Sequence, residues 1–255
     1  MLDLHYDVHA GTGPPLLLVH GFLSSRAQWH SNLEALGEVC TPVTVELYGH
    51  GRSPTPVQAD AYLPANYLLQ FDAIRRAIGV EKWFLCGYSL GAGLTIRYAF
   101  EYPQHTFAHI FTNSSSAFSP RPEERAAADV VKHFKEGGIE IIEKIPVHPR
   151  YARRLPEEIK QMLVEDARLI SPVAIGRNIA YTNATVSIRD ELKRNTRPAL
   201  LVCGKEEKRF QVHRDFIKAN MPETSLVDLP AGHAVNMECP EQFNQAVTDF
   251  IQQNS

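Results

Sequence analysis

The stretch GYSLGAG at residues 87–93 places a serine between closely spaced glycines. The short apolar segment KWFLC precedes it, and LTIRYAFEYP follows at helical spacing until a proline ends the pattern. Residues 87–91 therefore fit the pattern G-x-S-x-G on a turn from a strand to a helix. Such a turn strains the backbone of its central residue, and the flanking glycines relieve the crowding around it. The pattern predicts that Ser89 is a nucleophile rather than a polar residue in an ordinary glycine turn.

Short apolar runs recur along the chain and predict the strands of a mostly parallel sheet. Each is of strand length, and most have glycine, serine or asparagine at or next to their end. Their nearly continuous apolarity, without alternation, is typical of strands that are buried on both faces. The runs occupy residues 16–22, 42–49, 82–89, 108–115 and 198–204, with a sixth at 225–231 and an antiparallel edge candidate near the start.

Helical patterns fall between these runs, at residues 28–37, 64–78, 90–102, 210–220 and 240–253. This alternation predicts an α/β fold with a doubly wound, mostly parallel sheet of about eight strands. Residues 117–195 break the rhythm, because prolines punctuate them and they contain several helical patterns without a convincing strand. We therefore expect an α/β core made of residues 1–116 and 196–255. The intervening residues 117–195 are expected to form an inserted helical lid that lines a pocket and restricts access to it.

The composition is that of an ordinary globular protein, with 44% hydrophobic and 22% charged residues. The formal net charge of −3 gives no electrostatic footprint for nucleic acid or an anionic membrane. No apolar run approaches the roughly 20 residues that span a bilayer, and the first residues lack the pattern of a secretory signal. We therefore expect a cytoplasmic protein that neither binds nucleic acid nor spans a membrane.

The cysteines show no spacing that is typical of a metal site. Cys40, Cys86, Cys203 and Cys239 form no CxxC pair. Cys86 and Cys203 lie inside apolar runs, where a reduced thiol behaves as a small hydrophobic group. We expect no metal ion.

A serine hydroxyl needs a base to become a good nucleophile, and His233 is the best-placed histidine. It lies in LPAGHAVNMECPEQF, directly after the last predicted strand and before a carboxyl-terminal helix. A single loop histidine is often only a surface residue. However, its order after Ser89 and its place at the carboxyl end of a strand favour the role of base.

An acid that orients this histidine is expected after the predicted strand at 198–204. The segment there reads KEEKRF and contains no aspartate, so Glu207 is our choice and Glu206 the alternative. Both glutamates can also be solvated members of a charged run. Asp228 lies inside the last predicted strand and is less well placed, and the amide of Asn113 would orient a histidine more weakly.

Two backbone N–H groups are needed to stabilise an oxyanion. Leu90 follows the candidate nucleophile directly and would supply one of them. The other would come from Phe22, in the loop after the first long apolar run, where Gly21 allows a close approach of the backbone. His20 precedes this glycine, and its position favours a hydrogen bond that fixes the loop over the role of catalytic base.

The motifs HGF, GHGRS, GYSLG and AGH occur in this order, and with them the chain resembles the α/β-hydrolase fold superfamily from about residue 14 to residue 252. The resemblance implies that Ser89 is the nucleophile and His233 the base. It also implies that Phe22 and Leu90 supply the oxyanion donors, and that the GHGRS segment at residues 49–53 is a structural loop.

Within the superfamily, HGFLSS, GYSLG and EEKRFQ are similar to the SHCHC synthases of menaquinone biosynthesis, which are lyases. Aligning Gly204 and Phe210 with their pattern places Glu207 where those enzymes usually have aspartate. Gly93 stands where they carry an arginine, and Arg97, one helical turn later, is expected to point elsewhere. Other arginines within the predicted lid could supply a basic pocket differently: Arg121, Arg125, Arg150, Arg153, Arg154 and Arg177.

These observations predict a serine hydrolase that cleaves a carboxylic ester or thioester of a small to medium acyl compound, without a metal or organic cofactor. Two alternatives stay open: a C–C bond hydrolase or SHCHC-synthase-like lyase that uses the same triad as a base, and a non-enzymatic ligand receptor on the same fold. The pattern indicates neither the substrate nor the oligomeric state. Several aromatic and aliphatic residues of the predicted lid could line an acyl site or simply pack its helices: Phe118, Phe134, Tyr151, Ile179 and Tyr181.

Overall fold

The computed structural model describes residues 3–121 and 126–255, and seven strands within them form one sheet. The strands are β1 (Tyr6–Val8), β2 (Pro15–Val19), β3 (Thr41–Val45), β4 (Trp83–Gly87), β5 (Thr106–Phe111), β6 (Ala199–Gly204) and β7 (Ser225–Leu229). Their order in the sheet is β1-β3-β2-β4-β5-β6-β7, with β1 antiparallel to β3 and every other pair parallel. The mostly parallel α/β sheet is confirmed, and the described residues supply seven of the roughly eight strands expected.

The helices fall between the strands. The α-helices are α1 (His30–Gly37), α2 (Pro64–Ala77), α3 (Leu90–Glu101), α4 (Ser115–Phe118), α5 (Ala127–Glu143), α6 (Glu157–Ala167), α7 (Pro172–Arg177), α8 (Gln211–Asn220), α9 (Val235–Glu238) and α10 (Pro240–Asn254). Short 3-10 helices span Arg26–Trp29, Ala59–Tyr62, Pro103–His105, Pro149–Tyr151 and Arg189–Arg194, and a π-helical turn spans Asn178–Asn183. The five helices that the sequence predicted are confirmed, with ends that differ by two residues at most.

Successive side chains of the central strands enter hydrophobic cores on opposite faces of the sheet. Leu17 of β2 and Leu85 of β4 pack with side chains of α2 and α3. Leu18 and Cys86, one position further along the same strands, pack with side chains of α1 and α10. Because both faces are covered, a central strand has no solvent-facing side that would require polar residues. This is why the strands appear in the sequence as continuous apolar runs.

The described residues between β5 and β6 contain helices and no strand, and the described part of residues 115–194 is named here the helical segment. Phe134 of α5 and Ile175 of α7 share a buried cluster with Leu23, which follows β2. Leu163 of α6 shares another cluster with Met237, which lies in α9. The helical segment thus packs on loops that follow the carboxyl ends of β2 and β7.

Candidate active site

Ser89 occupies the turn between β4 and α3 with a strained backbone, at φ 52° and ψ −114°. A residue other than glycine in such a conformation costs about 1–3 kcal/mol, which the surroundings must offset. The turn is held by hydrogen bonds from the Tyr88 N–H to the Val19 carbonyl at 3.0 Å and from the Gly91 N–H to the Tyr88 carbonyl at 2.8 Å. A Cβ on Gly91 would lie 2.3 Å from the Val19 oxygen, so only glycine fits there. The predicted strand–turn–helix geometry around Ser89 is therefore present.

His233 and Glu207 come together from the loops that follow β7 and β6. The His233 Nδ1–H donates a hydrogen bond of 2.9 Å to Glu207 Oε2. The Tyr88 ring packs edge-on against the imidazole, with ring centroids 5.1 Å apart. His233 and Ser89 line the same cavity. A histidine with a carboxylate on Nδ1 keeps Nε2 free of its proton and available to act as a base.

Asn113, at the carboxyl side of β5, holds the Glu207 carboxylate from the other direction. Its Nδ2 donates to Glu207 Oε2 at 2.7 Å and to the Gly204 carbonyl at 3.1 Å. Its Oδ1 accepts from the Gly204 N–H at 3.0 Å, so all its polar atoms are used and the side chain is fully buried. From the sequence, Asn113 is a candidate only for a direct contact with the histidine, and its contact with Glu207 is not predicted. The available signal was its position at the end of a strand that neighbours β6.

The Glu207 carboxyl is held in its charged form. Burial raises its pKa, but the hydrogen bonds from His233 and Asn113 and the charge of the imidazolium lower it, and the net pKa lies below its usual value. The group is therefore ionised at neutral pH, which is the state that accepts a proton donor on Nδ1 of a histidine.

The other acids that the sequence offered pair elsewhere. Glu206 Oε2 lies 2.8 Å from Nη2 of Arg154, and Asp228 forms an ion pair with Arg214. Of the three acids, Glu207 is the one that contacts His233.

The backbone after β2 approaches the elbow closely. A Cβ on Gly21 would lie 2.6 Å from Cδ1 of Tyr88 and 3.1 Å from Cβ of Ser89. In the described part of the chain, the N–H groups of Phe22 and Leu90 donate to no protein acceptor, and both residues line the cavity that Ser89 lines. Leu90 is the first residue of α3, where backbone N–H groups have no partner inside the helix. Both N–H groups are thus without a protein partner in the described part of the chain and belong to residues at the cavity, and their role as oxyanion donors stays a prediction.

Two buried histidines form hydrogen bonds that hold the loop after β2 in place. His20 donates from Nδ1 to the Gly21 carbonyl at 2.7 Å and accepts the Leu47 N–H on Nε2 at 3.0 Å. His50 accepts the Leu23 N–H on Nε2 at 3.3 Å. Burial lowers the pKa of His20 to about 3 and that of His50 to about 4, so both are neutral at physiological pH. The loop-fixing role predicted for His20 and the structural role of the GHGRS segment are confirmed.

A cavity of about 510 Å³ lies against Ser89 and His233, within the range of roughly 300–1,000 Å³ that is typical of small-molecule sites. The helical segment contributes both apolar and polar side chains to its wall: Ser115, Ser116, residues 146–149 and 151–155, Leu163 and Asn183. Among the candidates for an acyl site, Tyr151 lines the cavity. The other four pack in hydrophobic clusters: Phe118, Phe134, Ile179 and Tyr181.

Among the described residues, the arginine and lysine side chains that line the cavity all come from one stretch of the helical segment. Of the six arginines considered above, Arg153 and Arg154 line the cavity, and Arg125 lies outside the described residues.

The position of Gly93 is closed to a large side chain. A Cβ there would lie 2.7 Å from Cγ2 of Val186, which comes from the helical segment. Arg97 donates from Nε to the Val186 carbonyl at 2.9 Å and from Nη2 to Glu191 at 3.0 Å. The expectation that Arg97 points elsewhere is confirmed.

Within residues 3–121 and 126–255, no group of three or more histidine, cysteine, aspartate or glutamate residues could hold a metal ion. None of the helices in that part of the chain is both long and apolar enough to cross a membrane.

The fold and the arrangement of Ser89, His233 and Glu207 are typical of one class of protein, and the comparison with known families identifies the same class. A family model described as alpha/beta hydrolase fold matches residues 14–240. The chain belongs to the α/β-hydrolase family.

Individual relatives fall in the same family. The chain is 22% identical to a provisionally named 2-succinyl-6-hydroxy-2,4-cyclohexadiene-1-carboxylate synthase of Bacillus subtilis (strain 168), over 92% of this chain and 89% of the relative. It is 24% identical to the carboxylesterase YbfK of the same organism, over 93% of this chain and 80% of the relative. Among solved structures, MenH from S. aureus superposes with a TM-score of 0.83 at 20% identity, covering 98% of each chain. The family match, with a relative named as a carboxylesterase, supports an enzyme of the hydrolase type.

Proposed function

We propose that the protein is a serine hydrolase that cleaves a carboxylic ester or thioester of a small to medium, largely apolar acyl compound. The observation that carries the proposal is the 2.9 Å hydrogen bond between His233 Nδ1 and Glu207 Oε2, beside a strained Ser89, at one cavity. Histidine and carboxylate in this relation activate a serine hydroxyl. The relative named as a carboxylesterase is consistent with this chemistry.

Each side chain has a defined part in the reaction. His233 Nε2 takes the proton of the Ser89 hydroxyl as Oγ attacks the substrate carbonyl carbon, and Glu207 stabilises the imidazolium through Nδ1–H. The N–H groups of Phe22 and Leu90 stabilise the oxyanion of the tetrahedral intermediate. Collapse of this intermediate breaks the bond to the alcohol or thiol, which leaves with the proton from His233. Water, deprotonated by His233, then attacks the acyl-enzyme and releases the acid and Ser89.

The helical segment selects the substrate in this proposal. Its apolar residues line the same cavity as Ser89, where they would contact the acyl chain. We assign residues 117–195 as a lid over an α/β core. The reaction proceeds with serine, histidine and carboxylate alone, so it requires neither a metal ion nor an organic cofactor. The protein acts on a small molecule in the cytoplasm.

A lyase or C–C bond hydrolase is the second candidate, because one relative is provisionally named as a synthase of that kind. Val186 disfavours it: the side chain fills the space next to Gly93, where SHCHC synthases carry an arginine. A non-enzymatic receptor is the third possibility on this fold.

An activity screen tests the three. Purified protein is assayed on p-nitrophenyl esters and acyl-CoA thioesters of increasing acyl length, with Ser89→Ala as the blank. Turnover that disappears in Ser89→Ala supports the hydrolase. Ligand binding that survives both Glu207→Gln and His233→Ala, without turnover of any substrate, would refute an enzyme.

A further inference from the structure

Glu238 is a buried carboxylate next to the loop that carries His233, and it has no part in the reaction proposed above. It is the last residue of α9 and lies five positions after His233. Its side chain is only 7% exposed, and it also lines the cavity. A buried carboxylate is costly unless hydrogen bonds and a counter-charge compensate it, so its partners indicate what it does.

The Glu238 carboxylate binds the backbone on both sides of His233. Oε2 accepts the Gly232 N–H at 2.9 Å, and Oε1 accepts the Ala234 N–H at 3.3 Å. A Cβ on Gly232 would lie 3.1 Å from Oε1, so the loop packs directly on the carboxylate. These bonds hold the peptide group directly after His233 and the peptide group directly before Gly232, so they restrain the loop on both sides of His233. Glu238 therefore restrains the backbone from which the His233 side chain extends.

Arg154 of the helical segment supplies the counter-charge. Its Nε lies 2.7 Å from Glu238 Oε2, and its Nη2 lies 2.8 Å from Glu206 Oε2. One guanidinium thus joins two loops: the loop of His233, through Glu238, and the loop of Glu207, through the adjacent Glu206. The planar, multidentate guanidinium suits such a bridge, whereas a lysine ammonium would reach one carboxylate well.

We propose that Glu238 is a positioning residue that orients His233, and that Arg154 couples the helical segment to this orientation. The proposal rests on the serine hydrolase function proposed above. When the stretch around Arg154 is seated on the core, both carboxylates are paired and the loops of His233 and Glu207 are held together. When it moves away, Glu238 loses its counter-charge and the imidazole is less well fixed. The substrate-binding wall and the general base are thereby linked.

The test compares Glu238→Gln with Glu241→Gln, an exposed glutamate in the first turn of α10. Glutamine keeps the volume, but it offers one acceptor oxygen where two N–H donors need one each, and it removes the charge that Arg154 neutralises. We measure kcat and KM on the best p-nitrophenyl ester, the rate of Ser89 labelling by a fluorophosphonate, and the melting temperature. NMR also follows the His233 Nδ1 proton, assigned by its loss in His233→Ala.

For Glu238→Gln we expect kcat and the labelling rate to fall about 10- to 100-fold, because a displacement of about 1 Å at a catalytic group has effects of this size. KM should stay within about threefold, the Nδ1 proton should shift or broaden, and the protein should stay folded at the assay temperature. Glu241→Gln should match the wild type in every readout. Arg154→Ala should lower kcat and also raise KM, because it removes most of a side chain from the cavity wall, whereas Glu238→Gln keeps the volume of the side chain. Arg154→Lys should recover part of the loss in kcat.

An unchanged kcat and Nδ1 resonance in Glu238→Gln would overturn the inference, as would a loss of activity that only follows the fraction of unfolded protein. Failure of the proposed function gives a different result. The wild type would then neither hydrolyse any ester nor react with the fluorophosphonate, while the Nδ1 resonance would still report whether Glu238 orients His233.

Discussion

Replacing Glu207 by aspartate, the residue that SHCHC synthases usually carry here, should impair this enzyme. Glu207 Oε2 accepts hydrogen bonds from both His233 Nδ1 at 2.9 Å and Asn113 Nδ2 at 2.7 Å. Aspartate is shorter by one C–C bond, which retracts the carboxylate by up to about 1.5 Å. The distance to His233 would then grow to roughly 4 Å, beyond the range of a hydrogen bond.

The size of the effect follows from two limits. Loss of a correctly oriented triad acid costs up to about 10⁴ in kcat, and misplacement of a catalytic group by about 1 Å costs about 10². Because the Glu207→Asp carboxylate keeps its charge near the imidazole, we expect a fall in kcat of about 10², or roughly 2.7 kcal/mol. Glu207→Gln removes the charge as well and should lose about 10³ or more.

The assay is steady-state hydrolysis of a p-nitrophenyl ester, with KM expected to change little because Glu207 acts through the imidazole. Lys208→Gln, an exposed change in the same turn, is the matched control and should retain the wild-type kcat. If Glu207→Asp keeps kcat within about threefold of the wild type, the loop adjusts freely and the argument from side-chain length is refuted.

Three further outcomes are expected. Asn113→Ala should lower kcat about tenfold at nearly constant KM in the same assay, because Glu207 keeps its hydrogen bond to His233 but loses the one from the Asn113 amide. An unchanged kcat would contradict this. Gly91→Ala should lower the free energy of unfolding by about 3 kcal/mol or more, because its Cβ would lie 2.3 Å from the Val19 oxygen. Denaturant titration measures this free energy, and a change below about 1 kcal/mol would refute the close contact. Burial lowers the pKa of His109 to about 4, so the unfolded chain binds its proton at higher pH than the folded chain does. His109 should therefore contribute a loss of stability of about 1.4 kcal/mol per pH unit on acidification from about pH 6.5 toward 4, in addition to the contributions of the other buried histidines. His109→Gln should remove the part that belongs to His109 in denaturant titrations at pH 7 and pH 5.

The parallel sheet and the elbow could be predicted because their physical requirements leave a local mark on the sequence. A strand buried on both faces has to be apolar throughout, and a strained turn that packs on Val19 has to carry glycine at Gly91. The count of strands was less predictable. The six apolar runs and the edge candidate near the start correspond to the seven strands of the described residues, and the eighth strand that was expected had no run of its own in the sequence.

The partners of the acid could not be predicted in the same way. Glu206 and Glu207 are neighbours in one charged turn, and only the direction of each side chain separates a contact with Arg154 from a contact with His233. Asn113 lies 94 positions before Glu207, so the pairing depends on the adjacency of β5 and β6. Glu238 could not be predicted either, because nothing near it in the chain indicates a buried carboxylate.

The length of the Glu207 side chain and the presence of Asn113 are physically connected. An acid that comes from the loop after β6 has to cross to His233, and a longer side chain has more rotamers to lose when it is fixed there. Asn113 restrains it: the amide donates to Glu207 and is itself held by both backbone groups of Gly204. Since Gly204 precedes the turn that carries Glu207, one buried amide ties the acid to the end of its own strand. In the proposed triad, a glutamate in this position is therefore an acid that is already held in its working orientation. Shortening it should lower kcat more than its retained charge alone suggests.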